Sequence, residues 1–65
     1  MNFNQIRCIE HLVRQAKQLG PAVLRTYESF ESAVWSEDNR ELKLFDLTPQ
    51  QYEACVKAAY SRMKS

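Results

Sequence analysis

The segment from Thr48 to Met63 carries the strongest structural signal in this sequence. Thr48 is a residue type that caps helix starts, Pro49 fits the first helical position, and Gln51 completes the spacing of a capping box. After these residues, apolar side chains recur three and four residues apart, which places them on one side of a helix. They are Tyr52, Cys55, Val56, Ala59, Tyr60 and Met63. The spacing predicts an amphipathic helix over residues 48–63.

A second apolar stripe with the same spacing runs from Phe3 to Leu19. Asn2 is placed to cap its start, with Gln5 at the spacing that allows a reciprocal hydrogen bond. Gly20 and Pro21 end it, because glycine tolerates the left-handed conformation after a last turn and proline cannot continue the hydrogen-bond ladder. We expect a helix over residues 3–19 that packs its stripe against that of the 48–63 helix.

The region between these two helices is less regular. Pro21 suits the first turn of a new helix, and Val23, Tyr27 and Phe30 continue at helical spacing, which predicts a short helix over residues 21–30. We place its end near Phe30 because Glu31 would otherwise lie on the same stripe as Tyr27.

Residues 31–47 then change in character. A short apolar run, a polar turn-like stretch and a brief alternation over residues 41–47 favour a β-hairpin, although the turn lacks Asn-Gly or Asp-Gly. The alternative is a longer second helix followed by an extended connector. The predicted fold is therefore a helix-dominated α+β domain, and the alternative is an all-α three-helix domain.

A chain of 65 residues is long enough for one small domain, spanning residues 1–65, with a thin core. Two cysteines, Cys8 and Cys55, are fewer than small secreted disulfide scaffolds usually carry, which favours reduced, buried thiols. The start of the sequence has no apolar run typical of a signal peptide, and no stretch has the composition of a membrane span. We therefore expect a cytoplasmic protein with no membrane association.

The residue types required for most enzyme chemistry are scarce. His11 is the single histidine, and Cys8 lies three residues before it on the predicted helix. Cys8 falls at the edge of the apolar stripe and His11 beyond it on the polar side, which is typical of an ordinary helix boundary. Three Cys and His residues are too few and too far apart for a structural zinc site, and one glycine excludes a glycine-rich phosphate loop. The sequence predicts no catalytic site, metal or cofactor, and hence no enzyme.

Protein binding is the predicted function. Three Phe, three Tyr and one Trp are more aromatic side chains than so small a core readily buries, and aromatic residues are typical interface anchors. We expect Trp35, Phe45 and Tyr60 to contact the partner, with Glu37 and Asp38 as a polar rim. The protein would then be an inhibitor, adaptor or regulator that occupies a surface on a larger protein, or that pairs with a second copy of itself as a homodimer.

Nucleic-acid binding is the alternative function, since both predicted terminal helices carry a basic excess that suits phosphate contacts. Residues 21–47 argue against it, because they hold six acidic and three basic side chains, and the formal net charge of the chain is only +1. Six basic residues would form the contact surface: Arg7, Arg14, Lys17, Lys57, Arg62 and Lys64.

Overall fold

The computed structural model describes residues 2–35 and 40–64, apart from the side chains of residues 40 and 41. In order, the elements are α1 (Phe3–Leu19), a 3-10 helix (Pro21–Leu24), α2 (Tyr27–Val34), α3 (Arg40–Leu44) and α4 (Pro49–Lys64). Over these described ranges the chain contains no β-strand, so its fold is all-α. The α+β class is wrong, and the all-α alternative gives the right class.

Both terminal helices begin at the capping boxes that the sequence predicts. The Asn2 side chain accepts from the Gln5 backbone N–H and the Gln5 side chain accepts from the Asn2 N–H, each at 2.9 Å. Thr48 and Gln51 make the equivalent pair of bonds at 3.1 and 3.0 Å. Gly20 ends α1 with a φ of 95°, and its N–H bonds to the Ala16 carbonyl. The predicted helices 3–19 and 48–63 are confirmed, with α4 displaced by one residue at each end.

The predicted helix over residues 21–30 is confirmed over residues 27–30, but it is wrong over residues 21–26 and in its end. Residues 21–24 form a 3-10 turn, and the chain then extends at Thr26, whose side chain accepts from the Ser29 N–H at 3.0 Å and caps α2. Thr26 is a good N-cap residue inside what reads as a continuous helical pattern, and its capping bond competes with an uninterrupted helix.

Glu31 does not end α2, which continues to Val34. The Tyr27 hydroxyl donates to the Glu31 carboxylate at 3.4 Å, so the acidic side chain has a polar partner at the edge of the apolar face. Burial, together with the negative charge of Glu31, raises the pKa of Tyr27 to about 12, which keeps that hydroxyl a donor. A half-buried carboxylate is tolerated on this stripe because the preceding helical turn supplies its hydrogen bond.

The predicted hairpin over residues 31–47 is also wrong: residues 31–34 belong to α2 and residues 40–44 form α3. After α3, the Leu47 N–H bonds to the Leu42 carbonyl at 2.9 Å and the Asp46 N–H to the Lys43 carbonyl at 3.4 Å. Asp46, which directly precedes Leu47, has a φ of 53°. This is a Schellman motif with aspartate in the left-handed position that glycine usually occupies. The alternation in 41–47 is thus a single helical turn and its C-terminal cap.

The core lies where α1, α2 and α4 meet. Phe30 near the start of α2 contacts Tyr60 near the end of α4, whereas Val34 at the end of α2 accepts a 3.1 Å hydrogen bond from the Tyr52 hydroxyl near the start of α4. These contacts show that α2 and α4 are antiparallel. The buried apolar residues of all the elements form one cluster: Cys8, Ile9, Leu12, Ala16, Phe30, Val34, Leu47, Tyr52, Cys55, Val56 and Ala59.

Cys8 and Cys55 bring two thiols into the contact between α1 and α4. Neither side chain has measurable solvent exposure. The Cys55 Sγ donates to the Gln5 backbone carbonyl at 3.6 Å. Burial raises the pKa of the Cys55 thiol above its usual range, and a hydrogen bond with Cys8 acts in the opposite direction. Both thiols are therefore placed as small apolar packing groups.

We predict that the two thiols resist alkylation while the protein is folded. At neutral pH the native protein should react with iodoacetamide on the order of 100-fold more slowly than the urea-unfolded chain, because the reagent requires an exposed thiolate. Since folding raises the Cys55 pKa, that thiol contributes stability below its unfolded pKa, and the contribution is lost as the pH rises from there through the higher folded pKa. Timed alkylation read by mass spectrometry checks the prediction, and native labelling as fast as that of unfolded chain contradicts it.

Candidate protein-binding surface

An open groove lies between the outer face of α1 and the end of α3. Its lining residues are Arg7, Glu10, Arg14, Leu44 and Phe45, and we call it the α1–α3 groove. Its cavity volume is about 230 Å³. Sites that enclose a small molecule are usually larger, roughly 300–1,000 Å³. The groove is therefore of a size that accepts a side chain or two from a macromolecular partner.

The Schellman motif positions the apolar wall of the groove. Leu47 at the end of the motif is only 8% exposed and ties the turn to the core, whereas Leu44 at the end of α3 is 68% exposed. Phe45 is half-buried, and its ring lies 5.6 Å from the ring of His11 on α1. The same turn thus anchors one leucine and presents the other to solvent.

The α1 wall of the groove belongs to a polar stripe on the side of the helix away from the core. Phe3, Arg7, Glu10, Arg14 and Lys17 follow one another at spacings of three and four residues, and all five are exposed. The Arg7 guanidinium carbon lies 5.8 Å from the centre of the Phe3 ring, which is itself 66% exposed. With three cations against one carboxylate, this stripe is basic and has an aromatic residue at its start.

Of the predicted contact residues that the structure describes, Phe45 alone lines this groove. Trp35 is half-buried at the end of α2, with its ring 4.5 Å from that of Tyr52. Tyr60 is half-buried, packs against the Tyr27 and Phe30 rings at 5.6 and 5.8 Å, and donates to the Leu24 carbonyl at 3.4 Å. Both residues border the core rather than stand free of it. Glu37 and Asp38 lie outside the described residues.

The residues predicted for nucleic-acid binding divide between two sides of the molecule. Arg7, Arg14 and Lys17 lie on the face of α1 opposite its contact with α4. On α4, Lys57 and Lys64 lie opposite the buried residues in the same way, and Lys57 pairs with Glu53 at 3.9 Å. Arg62 is exposed near the end of α4. Since α1 and α4 pack through their buried faces, the two basic surfaces point away from each other.

Leu44 and Phe3 are the contact candidates that sequence reasoning misses. Periodicity assigns Phe3 to the buried stripe, although it stands in the first turn of α1, beyond the reach of the core. Leu44 was expected in a strand. The sequence signal for the exposure of Leu44 is the pair Asp46 and Leu47. Aspartate tolerates the left-handed conformation, and an apolar residue commonly follows it in a Schellman motif.

Two further features, a metal-binding cluster and a membrane-spanning helix, are absent from the described residues. Over residues 2–35 and 40–64, no group of three His, Cys, Asp or Glu residues is arranged to hold a metal ion. Nor does any helix in the described parts of the chain combine the length and the apolar composition needed to cross a bilayer.

No protein-family model, curated protein or solved structure matches the chain. The surface must therefore be interpreted from its own geometry.

Proposed function

We propose that this chain is a small non-enzymatic accessory protein that acts by binding a larger protein through the α1–α3 groove. The observation that carries the proposal is the pairing of exposed apolar side chains with arginines on one surface. Leu44 and Phe3 are the two most exposed large apolar residues of the described chain. Arg7 and Arg14 line the groove with Leu44, and Arg7 also lies beside the Phe3 ring. Aromatic residues and arginine are the types enriched at protein interfaces.

A cross-linking experiment tests the proposal. A benzophenone amino acid in place of Leu44 should form one discrete protein adduct in cells of the native host, because the side chain would face the partner. The same amino acid in place of Ala54, an exposed position on α4, is the matched control. If no protein adduct specific to position 44 forms, the proposed function is wrong.

Light scattering of the purified protein separates a second copy from a different partner. A dimeric mass at micromolar concentration that falls to the monomer on Leu44→Asp identifies the partner as another copy of this chain. A strictly monomeric mass removes the homodimer and leaves the larger protein.

Nucleic-acid binding is the second candidate, favoured by the alignment of Arg7, Arg14 and Lys17 along one helix face. It predicts an affinity for oligonucleotides that falls steeply with salt and with loss of Arg14 or Lys17. Because the basic residues of α4 point away from this face, Arg7, Arg14 and Lys17 are the members of the predicted set that a strand would meet there. Absence of binding to duplex and single-stranded oligonucleotides at low salt would dispose of this candidate.

A further inference from the structure

The spacing of charges in the α1–α3 groove restricts what can bind it. Arg7 and Arg14 are seven residues apart on α1, which corresponds to about 10.5 Å along the helix axis. Both line the groove, with Leu44 and Phe45 forming its apolar wall. A second helix lying along the groove repeats this distance, because its own residues seven apart fall on one face at the same separation. Two carboxylates at that spacing would meet the two guanidinium groups.

Glu10 further restricts the charge pattern of a helix that could bind the groove. It lies between Arg7 and Arg14 on the same stripe and also lines the groove. A uniformly charged polyanion running along α1 would place negative charge opposite this carboxylate, where like charges repel. The position facing Glu10 therefore disfavours an acidic residue, and an apolar one there would reach Leu44 and Phe45. This pattern disfavours a phosphate backbone and favours a segment of protein.

Arginine is suited to this recognition because its guanidinium binds a carboxylate through two parallel hydrogen bonds. Phe45 is held by its contact with the His11 ring, and the backbone at Leu44 is held by the turn that Leu47 anchors in the core. The apolar wall is therefore formed before a partner arrives, which lowers the entropy cost of binding.

We propose that the α1–α3 groove binds an acidic amphipathic helix of the partner, with two carboxylates seven residues apart and an apolar side chain between them. The proposal rests on the proposed function and adds the chemistry of the partner to it. The apolar side chain enters the groove beside Leu44 and Phe45, and the carboxylates pair with Arg7 and Arg14.

Designed peptides test this without knowledge of the natural partner. The probe is a fluorescent, stapled helical peptide with two glutamates seven residues apart and leucine and phenylalanine on the same face between them. Its control carries lysines in place of the glutamates. Fluorescence anisotropy should show that the purified protein binds the glutamate peptide at least about tenfold more tightly than the lysine peptide.

A charge exchange locates the contact. The double variant Arg7→Glu with Arg14→Glu should bind the glutamate peptide about tenfold more weakly and gain affinity for the lysine peptide. Lys57→Glu with Lys64→Glu makes the same change of net charge on the far side of α4 and should leave both affinities within about twofold. Circular dichroism of both variants checks that they fold.

Three results would overturn the inference. One is equal binding of the two peptides. Another is an equal loss of affinity in the Lys57 and Lys64 variant, which would reduce the effect to net charge. The third is tighter binding of an oligonucleotide than of the glutamate peptide, with the loss of oligonucleotide affinity confined to the Arg7 and Arg14 variant.

The cross-linking experiment separates this inference from the proposed function. If neither peptide binds while a benzophenone at position 44 still captures a protein, the partner has other chemistry and the proposed function stands. If no protein is captured at position 44, the proposed function fails as well.

Discussion

Phe30→Ala is expected to leave about half or more of the protein unfolded at room temperature. Phe30 is fully buried, and its ring packs 5.8 Å from that of Tyr60 between α2 and α4. Truncating a buried phenylalanine to alanine typically costs roughly 3–5 kcal/mol of unfolding free energy, through lost apolar burial and the cavity that remains. Domains of this size rarely exceed roughly 3–5 kcal/mol in total. The substitution removes about as much as the fold has.

Urea unfolding followed by circular dichroism measures this effect. Leu44→Ala is the matched control, since it also removes a large apolar side chain, but one that is 68% exposed. We expect the control to change the unfolding free energy by no more than about 0.5 kcal/mol. A Phe30→Ala protein that unfolds at nearly the same urea concentration as the unaltered chain would contradict the arrangement of α2 in the core.

Tyr52→Phe should cost roughly 1–3 kcal/mol, although it removes a single oxygen atom. The Tyr52 hydroxyl donates to the Val34 carbonyl at 3.1 Å in a buried setting, and that carbonyl lies in the last turn of α2. Removing the donor takes a hydrogen bond from an acceptor in a buried setting, where the loss costs more than the net value of an ordinary hydrogen bond.

Tyr60→Phe provides the comparison for that experiment. The Tyr60 hydroxyl also donates to a backbone carbonyl, that of Leu24, but at 3.4 Å and in a partly buried setting. Water can replace a lost partner there, so we expect a loss of about 0.5 kcal/mol or less. Thermal and urea unfolding of the two variants should rank them in this order. Equal losses would mean that the burial of the Tyr52 bond adds nothing.

Local signals predict the two long helices well. The Asn2 and Thr48 capping boxes, the Gly20 stop and stripes at helical spacing depend only on residues within a few positions of one another. The errors lie where a second interaction decides the outcome. Thr26 breaks the helical pattern by capping α2, and Glu31 stays in α2 because Tyr27 bonds to it. Neither a capping bond inside a continuous pattern nor a partnered carboxylate is visible from periodicity.

The candidate surface combines residues that the sequence assigns to two different functions. Phe45 is predicted for protein binding, and Arg7 and Arg14 for nucleic acid, yet all three line one groove. Their meeting depends on α3 and its Schellman motif, which places residues more than thirty positions apart in sequence side by side. Residue type alone cannot predict this proximity. Trp35 and Tyr60 are residue types that often anchor interfaces, but both are partly buried and pack against the core.

The contact between α1 and α4 also determines when the chain can fold during its synthesis. The ribosome makes α1 first, and its apolar stripe stays uncovered until α4 emerges, because Gln5 and Cys55 are partners across 50 positions. At about 5–20 residues per second, that interval lasts several seconds. For this time α1 has only α2 and the short turns to pack against, so the nascent chain exposes a surface that the finished protein hides. The contact between α1 and α4 therefore forms late, after α4 has been made.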